Sequence, residues 1–231
     1  MGPSLVHPLG TDLLGRDVLS RIIHGTRITL LVAFVAVVIG DGIGFTWGIV
    51  SGYVGGAVDT YSQRVLEVMM SIPTIILALL LLAVTGSGLL PIIVAIAVTR
   101  VPGATRVIRS SVLSVKEMPY VEAARAIGAS PLRIMVRYVV PQCVAPLLVV
   151  FSVSLGGAVF TEAALSFLGL GIPPPHPSWG SMLSGIIAES FNPPWWLSVF
   201  PGVAITFTVL AFNLLGDALR DHLDPKLRGR L

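Results

Sequence analysis

Residues 122–131 read EAARAIGASP, a compact charged stretch in a chain otherwise written largely in Leu, Val, Ile, Ala and Gly. With its flanks, KEMPYVEAARAIGASPLRIMVRYVVP (116–141), it predicts two helices and the turn between them. Pro119 suits a first helical position, where its missing N–H is no loss, and Glu122 in the first turn complements the helix dipole. Gly128 can take the left-handed conformation that closes a helix. Ser130 then caps a second helix with Pro131 at its first position. On that second helix Leu132, Met135 and Val139 are expected on one face and Arg133 and Arg137 on another. It runs directly into an apolar segment that begins near Val139. The expected product is helix, glycine turn, helix: a rigid knob joined to a longer rod. An arginine-anchored loop would give the same charges, but the small pair Ala123–Ala124 beside Glu122 suggests a helix that seats in a groove of another protein.

The surroundings of this knob are those of a membrane protein. The 231 residues are 54% hydrophobic and 12% charged, with a mean hydropathy of +0.89; soluble domains carry about 25% charged residues. A spanning helix needs about 20 predominantly apolar residues. Five segments qualify: 28–50, 65–85, 88–109, 139–161 and 198–219. The third admits Arg100, Pro102 and Arg106 and is expected to leave the bilayer early. Fold class is therefore all-α, a multi-pass helical membrane protein.

Basic residues set the orientation, because they collect on the cytoplasmic side. Twelve of the 15 Lys and Arg lie in 51–64, 100–138 and 220–231, and three in 1–27, 86–90 and 162–197. This places EAARAIGASP in the cytoplasm. The organisation expected is an extracytoplasmic tail (1–27), a transmembrane domain (28–219) with a cytoplasmic loop at 110–138, an outer loop at 162–197, and a cytoplasmic tail (220–231). Trp179, Trp195 and Trp196 in the outer loop are expected at the headgroup level, and its proline runs favour extended, stiff backbone over a folded unit. The start shows no basic region followed by an apolar run, so the later spans are expected to insert by themselves. For an outer tail of 27 residues with no helix before it, a further transmembrane helix upstream of Met1, in the natural chain or in an earlier relative, is expected, with a misread start or a true five-helix protein as the alternatives.

Chemistry-bearing residues are few. Cys143 is the single cysteine, and His7, His24, His176 and His222 are scattered without helical pair spacing, so no metal site is expected. There is no GxxxxGK[ST] phosphate loop, so any ATP hydrolysis must come from another chain. Asp41 is read as the one acid deep in a span. It could line a pathway and attract a cationic group, which would be a peptide amino group if peptides pass, or bond to a neighbouring helix. Gly40, Gly42, Gly44 and Gly48 around it are expected to serve close helix packing, and Asn213 an interhelical hydrogen bond. Asp12 and Asp17 are expected to pair locally with Arg16 and Arg21, or to contact a docked protein.

EAARAIGASPLRIMVRYVVP (122–141) resembles the EAA loop of the permease subunits of binding-protein-dependent ABC importers: Glu-Ala-Ala, three residues, then Gly. Four further stretches resemble the dipeptide/oligopeptide/nickel permease family: HPLGTDLLGRDVLSRIIHGTRITL (7–30), SGYVGGAVDTYSQRVLEV (51–68), EAALSFLGLGIPPPHPSWGSML (162–183) and NLLGDALRDHLDPKLRG (213–229). Together they cover nearly the whole chain in the family's order. The resemblance implies a type I ABC importer transmembrane domain, with about five spans in this chain and the family's first helix absent. It implies one of two membrane subunits that form a pathway for di- or oligopeptides, with nickel or another small solute as the alternative. Glu122, Ala123, Ala124 and Gly128 match the motif, Ser130 caps the helix that follows, and Pro141 matches the proline after it; these residues would couple to an ATPase.

The partners implied are a second permease subunit, two ATPase subunits or a fused pair, an extracytoplasmic solute-binding protein, and membrane lipid, with no nucleic acid. ATP and Mg would be bound by the ATPase subunits and no cofactor by this chain, in a bacterial or archaeal plasma (inner) membrane. The chain would perform no bond chemistry. ATP would close the ATPase subunits, and the cytoplasmic knob would carry their motion into the spans. Departures are Tyr138 where many members have histidine, Val101 where tryptophan is frequent, and Asp41. An intramembrane enzyme would need a nucleophile–base pair or paired acids; Ser152 and Ser154 lie in a span, but no histidine does. A secondary transporter would show an inverted repeat and coupling charges, which five spans with one acid fit poorly.

Overall fold

A computed structural model describes residues 1–189 and 194–223. Eight helices follow in order: α1 Val18–Val54, α2 Gly56–Ser71, α3 Thr74–Thr85, α4 Leu89–Val115, α5 Pro119–Ala126, α6 Pro131–Phe167, α7 Trp179–Glu189 and α8 Trp195–Leu223. Among the described residues the only β pairing is the isolated bridge between Thr11 and Asp17, as an all-α chain requires. Helices α1, α4, α6 and α8 are long and apolar enough to cross a membrane, and α2 with α3 makes a fifth if that bent pair is one span. The part of the expected cytoplasmic tail at 224–231 and the outer-loop residues 190–193 lie outside the described residues.

Several boundaries differ from the sequence expectation, each for a local reason. The first helix begins at Val18, where the Asp17 carboxylate accepts the Ser20 N–H at 2.7 Å and caps its end. It stops at Gly55 and Gly56, whose φ values are +70° and +56°. The expected span 65–85 is two helices: Pro73 has no N–H to give the ladder, and Ile72 before it is extended at φ −94°, ψ 126°. Helix α4 continues through Pro102 to Val115, beyond the expected segment 88–109.

The segment expected as an outer loop, 162–197, is partly helical among its described residues. Helix α6 runs on to Phe167 and closes on Gly169 at φ +81°, with Gly169 N–H to the Ser166 carbonyl and Leu170 N–H to the Leu165 carbonyl. The proline segment is non-helical, yet α7 follows it directly. Trp179 is buried within the protein, and its indole N–H donates to the Ile22 carbonyl at 3.1 Å. Trp195 is the exposed one of the three, at 60%.

The chain folds as two compact units. One comprises Met1–Ala36, Thr74–Ile96 and Leu155–Phe212, the other Val37–Pro73, Ala97–Ser154 and Asn213–Leu231. In the first, Val18 and Leu197 are buried, with Leu9, Ile22, Met182, Leu183, Trp196 and Phe200 packed around them.

In the second unit, α1 lies against α4 along a seam of glycines four residues apart: Gly40, Gly44, Gly48 and Gly52. A Cβ at Gly44 would lie 2.6 Å from the Ala104 Cβ, and one at Gly48 would lie 2.7 Å from the Thr105 carbonyl oxygen. Small residues at this spacing let two backbones approach. Gly42 faces open space and takes no part in the seam, contrary to expectation.

Candidate functional site

The knob forms as its local signals require. Met118 is extended, Pro119 opens α5, and Glu122 lies in the first turn. At the other end Gly128 has φ +79°, with Gly128 N–H donating to the Arg125 carbonyl at 3.0 Å and Ala129 N–H to the Ala124 carbonyl at 3.1 Å. That pair of bonds satisfies carbonyls the helix end would otherwise leave unpaired, and it needs a left-handed residue at Gly128. Ser130 caps α6, its hydroxyl accepting the Arg133 N–H at 3.4 Å, and Pro131 takes the first position.

Beyond this point the expected pattern breaks. Residues Met135–Val139 form a π-helical turn, with Val140 N–H bonded to the Met135 carbonyl. Pro141, next in line, has no N–H to offer Arg137. The extra residue rotates the faces: Ile134 and Val139 are buried, Met135 is half-buried, and Leu132 is 66% exposed instead of facing inward.

The Ala123–Ala124 pair is divided between two jobs. Val121 and Ala124 are buried in the second unit's core, together with Ile49, Ile108, Val112, Val115, Ile134, Val139 and Cys143. Ala124 therefore packs on the chain itself, not on a partner. The outward face carries Glu122, Ala123, Arg125, Ala126 and Ile127, the last 83% exposed. Two of these residues are small and one is a bare aliphatic.

Asp41 is 1% exposed. The polar groups that face it are the Ser154 hydroxyl on α6 and the Arg100 guanidinium on α4, although neither reaches its oxygens at full hydrogen-bond geometry. Arg100, read from the sequence as marking the helix's exit from the bilayer, is the opposite charge that accompanies Asp41 within the second unit. A second contact was not foreseen. Arg109 of α4 grips Asp59 of α2 with two parallel bonds, Nε to Oδ1 and Nη2 to Oδ2.

In the first unit, Glu162 is fully buried inside α6, so Asp41 is not the only acid deep in a long helix. The Ser166 hydroxyl donates to Glu162 Oε1 at 2.7 Å, and the Ser178 and Thr29 hydroxyls face the carboxyl group. Thr29 Oγ1 also accepts the Trp179 N–H at 3.4 Å. Gly171 and Gly180 have no room for a Cβ against Ser166 and Ala163. A small-residue stretch, LGLGI, and an internal acid were the only sequence signals for this polar node.

Nearer the chain's start, Asp12 accepts from both Arg16 and Arg21, and Asp17 pairs with His7. Burial works against the Asp12 carboxylate, but the backbone bond from Arg16 and the two guanidiniums prevail and hold it below the usual carboxylate range. The Ser20 backbone bond does the same for Asp17, assisted by His7. Local pairing is thus what these acids do. A cavity of about 320 Å³ opens beside them, lined by Asp12, Arg16, Arg21, His176 and Ser181 among others. Among the described residues no three His, Cys, Asp or Glu side chains converge as a metal site would require.

Residues 44–229 match the family described as binding-protein-dependent transport system inner membrane component. The chain is 44% identical over 227 residues to the glutathione transport system permease protein GsiD of Pectobacterium atrosepticum, covering 98% of this chain and 75% of that one. It is also 44% identical over 228 residues to GsiD of Escherichia coli O1:K1, covering 99% and 75%. In fold it is similar to the MetNI methionine ABC transporter in an inward-facing conformation, with a TM-score of 0.71 at 21% identity, over 87% of this chain and 95% of that one. A solved amino acid ABC transporter gives a TM-score of 0.65 at 18% identity, over 89% and 93%. An apolar multi-pass helical chain, a capped helix–glycine–helix knob and these matches agree: the protein belongs to the binding-protein-dependent inner membrane components, as a type I permease subunit of an ABC importer whose ATPase is a separate subunit.

Proposed function

We propose that this permease carries short peptides of the glutathione kind, and that α5 is the helix through which ATP hydrolysis drives it. The observation that carries the coupling role is the two-sidedness of α5. One face, Val121 and Ala124, is locked into the protein's own core, while Ala123, Ala126 and Ile127 stand bare at the tip. A helix rigidly tied to a transmembrane rod and small on its outer face suits a groove in a nucleotide-binding partner. Glu122, Ala123, Gly128, Ser130 and Pro141 shape or present that face, and Ala124 anchors it from behind. The bias of Lys and Arg supports a cytoplasmic position for it.

The assembly proposed is this chain, a second permease subunit, two ATPase subunits or a fused pair that bind ATP and Mg, and a solute-binding protein on the outer side. The relatives' glutathione systems support the substrate class. Asp41, enclosed beside Arg100, ties helices together and does not line the pathway. Two measurements test this reading. The assembled complex, purified in mild detergent, should retain its ATPase subunits, and Glu122→Lys with Ile127→Asp should release them; retained ATPase in that double variant overturns the coupling role. The cognate binding protein should retain labelled glutathione or a tripeptide; retention of nickel alone overturns the substrate.

A further inference from the structure

Helix α2 is seated lightly on the second unit. Of its 16 residues only Leu66 is buried, and Val58, Tyr61, Val65 and Val68 are exposed. It contributes no buried residue to the core that α1, α4, α5 and α6 share. At its first end it follows the positive-φ pair Gly55–Gly56, and at its last end the chain leaves helical geometry at Ile72 before Pro73. Each end is a break in the hydrogen-bond ladder, so neither neighbouring helix fixes its direction.

What does hold it is Asp59, gripped in two-pronged fashion by Arg109, with the two side chains only 17% and 27% exposed. A parallel double bond between guanidinium and carboxylate sets distance and orientation at once, which apolar packing does not. Partial burial also strengthens it relative to a solvated pair.

Arg109 belongs to the same rigid body as the knob. Ile108, Val112 and Val115 of α4 share a core with Val121 and Ala124 of α5. The link between the helices is a hydrogen-bonded turn, with Lys116 N–H to the Val112 carbonyl and Met118 N–H to the Val115 carbonyl. The Lys116 ammonium donates in turn to the Gly52 carbonyl at 3.3 Å, closing the corner beside the Gly55–Gly56 break.

We propose that the Asp59–Arg109 pair is the latch by which the α4–α5 body moves α2, which makes both of them positioning residues for the coupling of ATP hydrolysis to transport. This rests on α5 being the coupling helix. Displacement of α5 carries Arg109 with it, and Asp59 passes that displacement to a helix whose two ends are breaks in the hydrogen-bond ladder.

The test uses the complete transporter in lipid nanodiscs, with Val68→Cys on the exposed side of α2; Cys143 is buried, so the chain without Val68→Cys is the blank. The reaction rate with a maleimide is compared without nucleotide and after trapping with Mg-ATP and vanadate. It is expected to change about fivefold or more, the low end of typical coupling between sites. Asp59→Asn and Arg109→Lys should abolish most of that change while the ATPase subunits stay bound. Arg64→Gln, which breaks the exposed Arg64–Glu67 pair on the same helix, should keep it. If Asp59→Asn lowers the yield too far, Arg109→Lys decides alone, since it keeps the charge and gives up the double bond.

The latch is overturned by an unchanged nucleotide response in the Asp59 or Arg109 variant, by an equal loss in Arg64→Gln, or by no response in the Val68→Cys parent. ATPase subunits absent from the purified parent overturn the coupling role itself, and the latch with it; in the other three outcomes the coupling role stands.

Discussion

At Gly128 the backbone sits at φ +79° with no atom within 4 Å of where a Cβ would lie, so the only objection to a larger residue is the conformation. At Gly48 the conformation is ordinary helix, and the objection is the Thr105 carbonyl oxygen 2.7 Å from a Cβ. These two glycines should therefore respond differently to the same substitutions. Gly128→Ala should cost about 1–2 kcal/mol, the left-handed penalty of an L-residue, and Gly128→Asn less, because asparagine tolerates that region. Gly48→Ala should cost about 1–3 kcal/mol through forced separation of α1 from α4, and Gly48→Asn more. Thermal unfolding of the purified protein in one detergent checks both series. The same ranking of Ala and Asn at the two sites would mean that the reasons assigned to them are wrong.

At the scale of elements, α5 is governed by which side of it a residue occupies. Ala124→Leu adds volume to a packed core at a residue 4% exposed and should lower stability by about 1–3 kcal/mol. Ala123→Leu faces outward and should leave the melt unchanged while weakening ATPase retention in a detergent pull-down. Equal melting losses in the two variants would remove the distinction between an inner and an outer face. The ends of α5 were legible in the sequence because caps are local: Pro119, Gly128, Ser130 and Pro131 each act on their own backbone. The sidedness of the next helix was not. A period of 3.6 residues put Leu132 inward, but Pro141 removes a donor, and the ladder accommodates an extra residue at Met135–Val139. The break at Ile72–Pro73 was missed because proline inside an apolar run is often tolerated in membranes. Glu162 and Arg100 were misplaced for one common reason. Hydropathy assigns a charged residue to the end of a span, whereas Arg100 accompanies Asp41 and Glu162 meets the Ser166 hydroxyl one turn on and those of Ser178 and Thr29 from other helices and loops, partners that a hydropathy average does not weigh.

For the whole molecule, the buried contacts alter the charge argument that sets its orientation. Among the described residues nine of the basic residues assigned to the cytoplasmic side are present, and Arg64, Arg100 and Arg109 are engaged by Glu67, Asp41 and Asp59, which leaves six. Of the three assigned outside, Arg16 and Arg21 are held by Asp12, which leaves Arg27 alone. Among the described residues intramolecular neutralisation thus raises the ratio, from nine against three to six against one. Retention of positive charge is a matter of exposed Lys and Arg near the ends of the spans, so the engaged residues contribute little either way. The orientation should accordingly survive loss of the outer pairing: with Asp12→Asn, which frees two arginines, six still oppose three among the described residues. Single cysteines at Ile127 and at Leu13, 83% and 43% exposed, allow this to be measured with a membrane-impermeant maleimide. In intact cells with a permeabilised outer envelope Leu13→Cys should react and Ile127→Cys should not, and in inverted vesicles the reverse. The pattern should be the same with Asp12→Asn added. Labelling of Ile127→Cys from outside would invert the topology and remove the basis for placing an ATPase against α5; mixed labelling only in the presence of Asp12→Asn would show that the outer ion pairs, not the cytoplasmic surplus, decide the orientation.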